Sequence, residues 1–150
     1  MKVAIDTNIL VYAVSVTGDS IKHVRALSII DRLGRGQNGI VPIQALIEFS
    51  AVVLRKKLAV PDAAHVYVEA FSADFSTIGT SAEDVLSALQ AHRDHGLSIW
   101  DAMIWSVSRR AGAEMLLSED FQDGRVLDGV RFVNPFNPIN DPLIETIFTP

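Results

Sequence analysis

Four acidic residues stand where solvation alone explains them poorly. Asp6 follows the apolar run Val3-Ala4-Ile5, and Asp120 lies just beyond Met115-Leu116-Leu117. Each run reads as a short β-strand ended by a polar turn. In open α/β sheets, sites form in the crevice beyond the carboxyl ends of the strands. Asp also favours turns and helix N-caps, and for either residue alone that plainer explanation is as good. Glu48 lies in Ile43-Gln-Ala-Leu-Ile-Glu-Phe-Ser-Ala-Val-Val-Leu54, otherwise almost free of charge, with Gln44, Ala45, Ala51 and Val52 as its helical neighbours. Arg55 is an available salt-bridge partner, but the cost of burying an unpaired carboxylate favours a functional role.

Asp101 is the only charge between Ile99 and Val107. Ser98-x-x-Asp101 is also a capping-box pattern, and the same pattern recurs at Ser81-x-x-Asp84, where nothing suggests function. Context separates the two. Asp84 opens a polar-faced helix, whereas Asp101 opens one that reads as buried, with the helix dipole expected to keep its carboxylate ionised. Carboxylates crowded together repel unless a cation lies among them. A set of hard oxygen donors selects Mg²⁺ or Mn²⁺, and the nitrogen and sulfur cage that zinc prefers is missing. The chemistry such a set performs is metal-assisted hydrolysis.

The elements that must position these acids follow from periodicity. Strands are expected at 2–5, 40–41, 75–78, 115–117 and 130–133. Helices are expected over 9–14, 20–35, from Pro42 to about Lys57, from Pro61 to about Ala73, and over 81–95 and 98–111. Strands alternating with helices imply an α/β fold around a mainly parallel sheet of short strands. From Asn134 onward, prolines and asparagines suggest an irregular tail. Leu143, Ile144, Ile147 and Phe148 are apolar anchors there, packing on the domain or on a second subunit.

The 150 residues fit one domain, and 49% hydrophobic content with a mean hydropathy of +0.26 excludes a disordered chain. No run is long enough for a membrane span, and Ile9–Val16 makes a poor signal-peptide core because Asp6 and Asn8 interrupt its start. Without cysteine there are no disulfides or thiolate metal sites, which suits a cytoplasmic protein. The net charge of −5 weighs against a nucleic-acid partner only weakly. If four of the 18 acids surround a cation, the rest nearly balance the 13 basic side chains. Arg55-Lys56-Lys57 and Arg109-Arg110 sit at helix C-termini, where cations are expected anyway, and are the candidates for holding phosphates. Trp100 and Trp105 read as core residues, and His92-x-x-His95 as a solvated helix end.

In order and spacing, Val3-Ala-Ile-Asp6-Thr7-Asn8-Ile9-Leu10, the helix of Glu48, Ser98-Ile-Trp-Asp101-Ala102-x-Ile104 and Leu117-Ser118-x-Asp120 resemble the PIN domain family. The nearest likeness is to the VapC-like toxins of type II toxin–antitoxin pairs. The resemblance spans Met1 to Phe136, leaving 137–150 as a C-terminal tail. It implies a Rossmann-like sheet, a metal-dependent endoribonuclease acting on RNA, Mg²⁺ or Mn²⁺ as cofactor, a homodimer and a neutralising antitoxin. By position, Asp6, Glu48, Asp101 and Asp120 inherit the catalytic carboxylates, and Asn8 and Ser118 the supporting polar roles. Asp6 and Asp101 would be the principal metal ligands, with Glu48 binding a second ion or steering water. The last motif, Ser-Glu-Asp-Phe-Gln-Asp, leaves Asp123 or Glu119 able to supply or share the fourth carboxylate. Arg55, Lys56 and Lys57 are the expected RNA-phosphate contacts. The alternative is a catalytically silent PIN-like module that binds RNA or protein. A phosphotransferase with Asp6 as nucleophile is disfavoured, because Asn8 stands where its second Asp belongs.

Overall fold

The computed structural model describes residues 1–148. Its sheet is built from β1 (Val3–Ile5), β2 (Gly39–Pro42), β3 (Ser76–Ile78), β4 (Met115–Leu117), β5 (Val126–Leu127) and β6 (Val130–Val133), in the order β3-β2-β1-β4-β6-β5. Every pairing is parallel except that of β5 with β6. Helices α1 (Thr7–Val14), α2 (Ser20–Gly36), α3 (Ile43–Arg55), α4 (Pro61–Asp74), α5 (Ala82–His95), α6 (Ile99–Arg110) and α7 (Asp141–Ile147) surround the strands. β1 and β4 carry no polar residue and are wholly buried, as strands covered on both faces require.

The chain builds outward from β1 through β2 to β3, then returns to place β4 on the other side of β1. The crevice beyond the carboxyl ends of β1 and β4 is therefore the topological switch point, where doubly wound sheets bind ligands. Pairing of Ile5 with Leu117 brings the next residues, Asp6 and Ser118, side by side at that point.

The expected strands and helices form with small boundary shifts, and three expectations are corrected. First, β5 was not anticipated. A two-residue strand is too short for alternation to show, although Asp128-Gly129, both at positive φ (45° and 84°), makes the tight turn that pairs it with β6. Second, the irregular tail holds a 3-10 turn (Pro138–Asn140) and α7, with Ile144 and Ile147 buried. Pro142 falls in the first turn of α7, where proline costs no hydrogen bond. Arg25–Asp141 and Arg32–Glu145 ion pairs tie α7 to α2 of the same chain, and the last two residues of the tail lie outside the described residues. Third, Trp105 is buried and donates from its indole to Leu127 O (3.2 Å), whereas Trp100 is 65% exposed rather than a core residue. Among the described residues no helix is long and apolar enough to cross a membrane.

The Ser81–Asp84 capping box is complete, with each side chain bonded to the other's backbone N–H. Asp84 also accepts from Arg110 Nε at 2.9 Å and Nη2 at 2.8 Å, tying α5 to the end of α6. Burial pushes the Asp84 carboxyl upward, but the bonds from Arg110 and Ser81 outweigh it and hold the group below the usual carboxylate value. A lowered folded-state value means that the stabilisation is present above the unfolded value and lost as pH falls through the folded one. Asp84→Ala should therefore lower stability at pH 7 by on the order of 1–2 kcal/mol. In thermal unfolding followed from pH 7 to pH 3, the difference from the parent should shrink with acid. A difference independent of pH would show that the ionised carboxylate is not the stabilising group.

Candidate active site

Asp6 is both a helix cap and a pocket residue, so the two explanations of its place are compatible. As N-cap of α1 it accepts from Thr7 N through Oδ1 at 2.7 Å. Its Oδ2 accepts from the Ser118 hydroxyl at 2.6 Å and from Asn8 Nδ2 at 3.2 Å. Asn8 Nδ2 also faces Ser118 Oγ (3.1 Å) and Asp120 Oδ2 (3.0 Å). Three acceptors around one nitrogen fix the orientation of this amide. Its Oδ1 is left buried without a donor, and a buried acceptor of that kind calls for a water or a cation.

Glu48 projects from α3 into the same region. Gln44 Nε2 donates to its Oε1 (2.7 Å) and the Thr7 hydroxyl to its Oε2 (3.3 Å). Gln44 Nε2 also reaches Trp100 O at 3.2 Å, which ties α3 to the residue before Asp101. Arg55 forms no ion pair with Glu48 among the described residues, so Glu48 is held by neutral donors that leave its charge uncancelled.

At the start of α6 only half of the capping box closes. Ser98 Oγ accepts from Asp101 N (3.1 Å), but the carboxylate makes no return bond to the Ser98 N–H. The motif shared by Asp84 and Asp101 thus has two outcomes. Asp84 is consumed by capping and by Arg110, whereas Asp101 keeps its carboxylate for the cavity. Burial raises the Asp101 carboxyl, the Ser98 hydroxyl opposes this, and the charges of Asp120 and Glu48 raise it further. Desolvation and like charge thus oppose the helix dipole at Asp101.

One cavity of about 500 Å³ is lined by Asp6, Glu48, Asp101 and Asp120 together, with Thr7 and Asn8 between them. Ser118 stands behind Asp6, buried. Asp123 is not brought to this cavity. It accepts from Asn134 N, Asn137 Nδ2 and Asn140 Nδ2, all within 3.0 Å, and so clips the tail to the turn after β4. Glu119 lines the cavity but is bound to Tyr12 OH (2.6 Å) and Lys22 Nζ (2.5 Å). Of Arg55, Lys56 and Lys57, only Lys56 lines the cavity. Arg109 and Arg110 are paired with Asp128 and Asp84. Thr7, Gln44, Tyr12 and Lys22 were not singled out from the sequence. Thr7 sits inside the Asp-Thr-Asn motif and Gln44 one helical turn before Glu48, and those spacings were the available signals.

The donor set suits a hard divalent cation: carboxylate, amide and hydroxyl oxygens only. Among the described residues no three acidic or histidine side chains already enclose an ion. Such openness is expected of carboxylates that repel when no cation screens them, and Mg²⁺ completes its shell largely with water. Burial drives the Asp6 carboxyl up to about 7; bonds from Ser118 and Thr7 oppose this, and the charges of Asp101 and Asp120 add to it. A raised acid makes folding less favourable as pH rises from the unfolded value towards 7, and the deficit persists above that pH. In EDTA at pH 8, Asp6→Asn should therefore be more stable than the parent, by on the order of 2–3 kcal/mol. Adding Mg²⁺ should raise the melting temperature of the parent and not that of the variant. A parent unaffected by Mg²⁺, or a variant that gains equally, would contradict cation binding at Asp6.

Comparison with known proteins agrees with this architecture. The PIN domain family profile matches residues 3–125. A toxin–antitoxin complex from Klebsiella pneumoniae superposes with a TM-score of 0.66 at 19% identity, covering 89% of this chain and 98% of that one. VapC20 from Mycobacterium tuberculosis, described as a sarcin-ricin loop cleaving toxin, gives 0.65 at 18% identity over 85% and 98%. VapBC2 from Rickettsia felis, solved with a DNA fragment from its promoter, gives 0.63 at 20% over 88% and 97%. At these identities the likeness establishes the fold alone. No curated protein matches the sequence directly. The profile covers most of the chain, from β1 to the residue before β5, and includes all four acids of the cavity: the chain belongs to the PIN domain family.

Proposed function

We propose that this protein is a divalent-cation-dependent endoribonuclease, the toxin of a toxin–antitoxin pair, acting in the cytoplasm. The observation that carries the reading is the convergence of Asp6, Glu48, Asp101 and Asp120, from four separate segments, on one cavity at the switch point of the sheet. The toxin–antitoxin assemblies among its structural relatives, and the RNA loop cleaved by one of them, support the choice of RNA and of a protein antitoxin.

Asp6 and Asp101 are proposed to hold Mg²⁺ or Mn²⁺, which when bound would neutralise phosphate charge and acidify a coordinated water. Asp6 Oδ1 accepts a single hydrogen bond and so keeps a lone pair for the ion. Ser118 and Asn8 hold the opposite oxygen and fix the plane of the carboxylate. Glu48, pinned at both oxygens by Gln44 and Thr7, is placed to orient and deprotonate a water or to contact a second ion. Asp120, exposed and linked to Asn8, closes the outer side. Lys56 is the proposed phosphate contact inside the cavity, with Arg55 and Lys57 beside it on the surface. A homodimer and a basic antitoxin segment reaching the acids complete the proposal.

The open spacing of the acids favours one other reading, a catalytically silent PIN-like module. Incubating a mixed RNA panel with Mg²⁺, Mn²⁺ or EDTA separates the two. Under the proposal RNA is cleaved with either cation and not in EDTA, and Asp6→Asn and Asp101→Asn each reduce cleavage by about 10²-fold or more, the scale of a lost transition-state charge contact. Cleavage that persists in Asp6→Asn would remove the assignment. RNA binding without cleavage under every condition would favour the silent module.

A further inference from the structure

The cavity that gathers the acids extends well beyond them. Along α3 its lining passes from Glu48 to Val52 to Lys56, four residues or about 6 Å per step. Along α1 it passes from Thr7 and Asn8 to Val11 and Tyr12, then to Ser15 at the helix end. The lining thus runs from Asp6, Glu48, Asp101 and Asp120 along both helices to Lys56, and it includes the apolar side chains of Val11, Val52 and Leu58. A site that bound phosphates alone would gain nothing from such side chains, since exposed apolar surface in a polar cleft is a cost unless something apolar covers it. Lys56 has no ion-pair partner among the described residues, and the Ser15 and Thr17 hydroxyls in the wall make no hydrogen bonds there.

We propose that this trough is a nucleotide subsite. With the scissile phosphate at the carboxylates, the base of the adjoining nucleotide lies on Val11, Val52 and Leu58. The phosphate beyond it meets Lys56, and the free hydroxyls of Ser15 and Thr17 are within the wall that reads the base edge. The proposal deepens the nuclease reading and rests on it for the position of the scissile phosphate. It also narrows the substrate: a base engaged in a duplex is not available to the trough, so the nucleotide there must be unpaired or splayed out.

The test uses the four ribonucleoside 5′-monophosphates and, as a baseless control, ribose 5-phosphate, each titrated into the full chain with Mg²⁺ while methyl resonances are followed. At least one nucleotide should shift the methyls of Val11, Val52 and Leu58 and bind at least about tenfold more tightly than ribose 5-phosphate. Val52 is half-buried and outside the core of α3, so Val52→Phe should fill the trough and remove that preference. Leu58→Ala provides a second, milder variant that should weaken it. Both should retain the Mg²⁺-induced rise in melting temperature, which reports the fold and the acids. Equal binding of ribose 5-phosphate, shifts confined to other methyls, or a Val52→Phe variant that binds nucleotides like the parent would each overturn the subsite. If RNA cleavage survives Val52→Phe with an unchanged pattern of cut sites, the subsite fails and the nuclease reading stands. If nucleotides occupy the trough but no RNA is cleaved, the nuclease reading fails and the subsite stands.

Discussion

The pairing register of β1 with β4 sets the position of everything at the site. Because Ile5 is opposite Leu117, Asp6 and Ser118 emerge side by side, and the Ser118 hydroxyl meets Asp6 Oδ2 at 2.6 Å. A slip of one residue would turn one of these side chains to the opposite face of the sheet, away from the other. Because β1 and β4 are buried on both faces, a slip would draw flanking Lys2 or Asp6 into the apolar interior, and that cost holds the register. Asn8 then extends the contact to Asp120, and Thr7 extends it to Glu48. The Asp-Thr-Asn turn is thus the hub through which α3 and the segment after β4 are joined to β1.

This arrangement concentrates negative charge in a place where burial already disfavours it. Asp6 and Asp101 are both pushed upward, by burial first and by neighbouring carboxylates in addition. Among the described residues no lysine or arginine forms an ion pair with either. Glu119, which also lines the cavity, is paired with Lys22, while Lys56 stands two helical turns from Glu48. A protein stabilised only by its own contacts would not keep such a cluster. The proposed cation would relieve this repulsion.

Much of this was legible in the sequence, and what was not has physical reasons. Strand-end acids and lone acids on apolar helices pointed to Asp6, Glu48, Asp101 and Asp120, all of which line one cavity. The pattern Ser-x-x-Asp could not separate Asp84 from Asp101, because the difference lies in whether a remote arginine reaches the carboxylate. The sequence favours Asp120 for the fourth carboxylate, with Asp123 next and Glu119 able to share it. The three are separated by partners distant in the chain: Lys22 and Tyr12 for Glu119, and the tail asparagines for Asp123. The helix α7 was hidden by Pro142 and the proline- and asparagine-rich run before it, and β5 by its brevity. Trp100 sits in a run as apolar as that of Trp105, yet it falls on the outward side of the first turn of α6.

The central claim is that the four acids form a cation site at the end of β1. Crystals soaked in Mn²⁺ test this most directly through anomalous scattering. An anomalous peak is expected within about 2.0–2.3 Å of carboxylate oxygens of both Asp6 and Asp101, with Glu48 or Asp120 close enough to share the ion or its waters. A well-ordered crystal in millimolar Mn²⁺ with no peak in this cavity, or with its peak bound elsewhere, would contradict it.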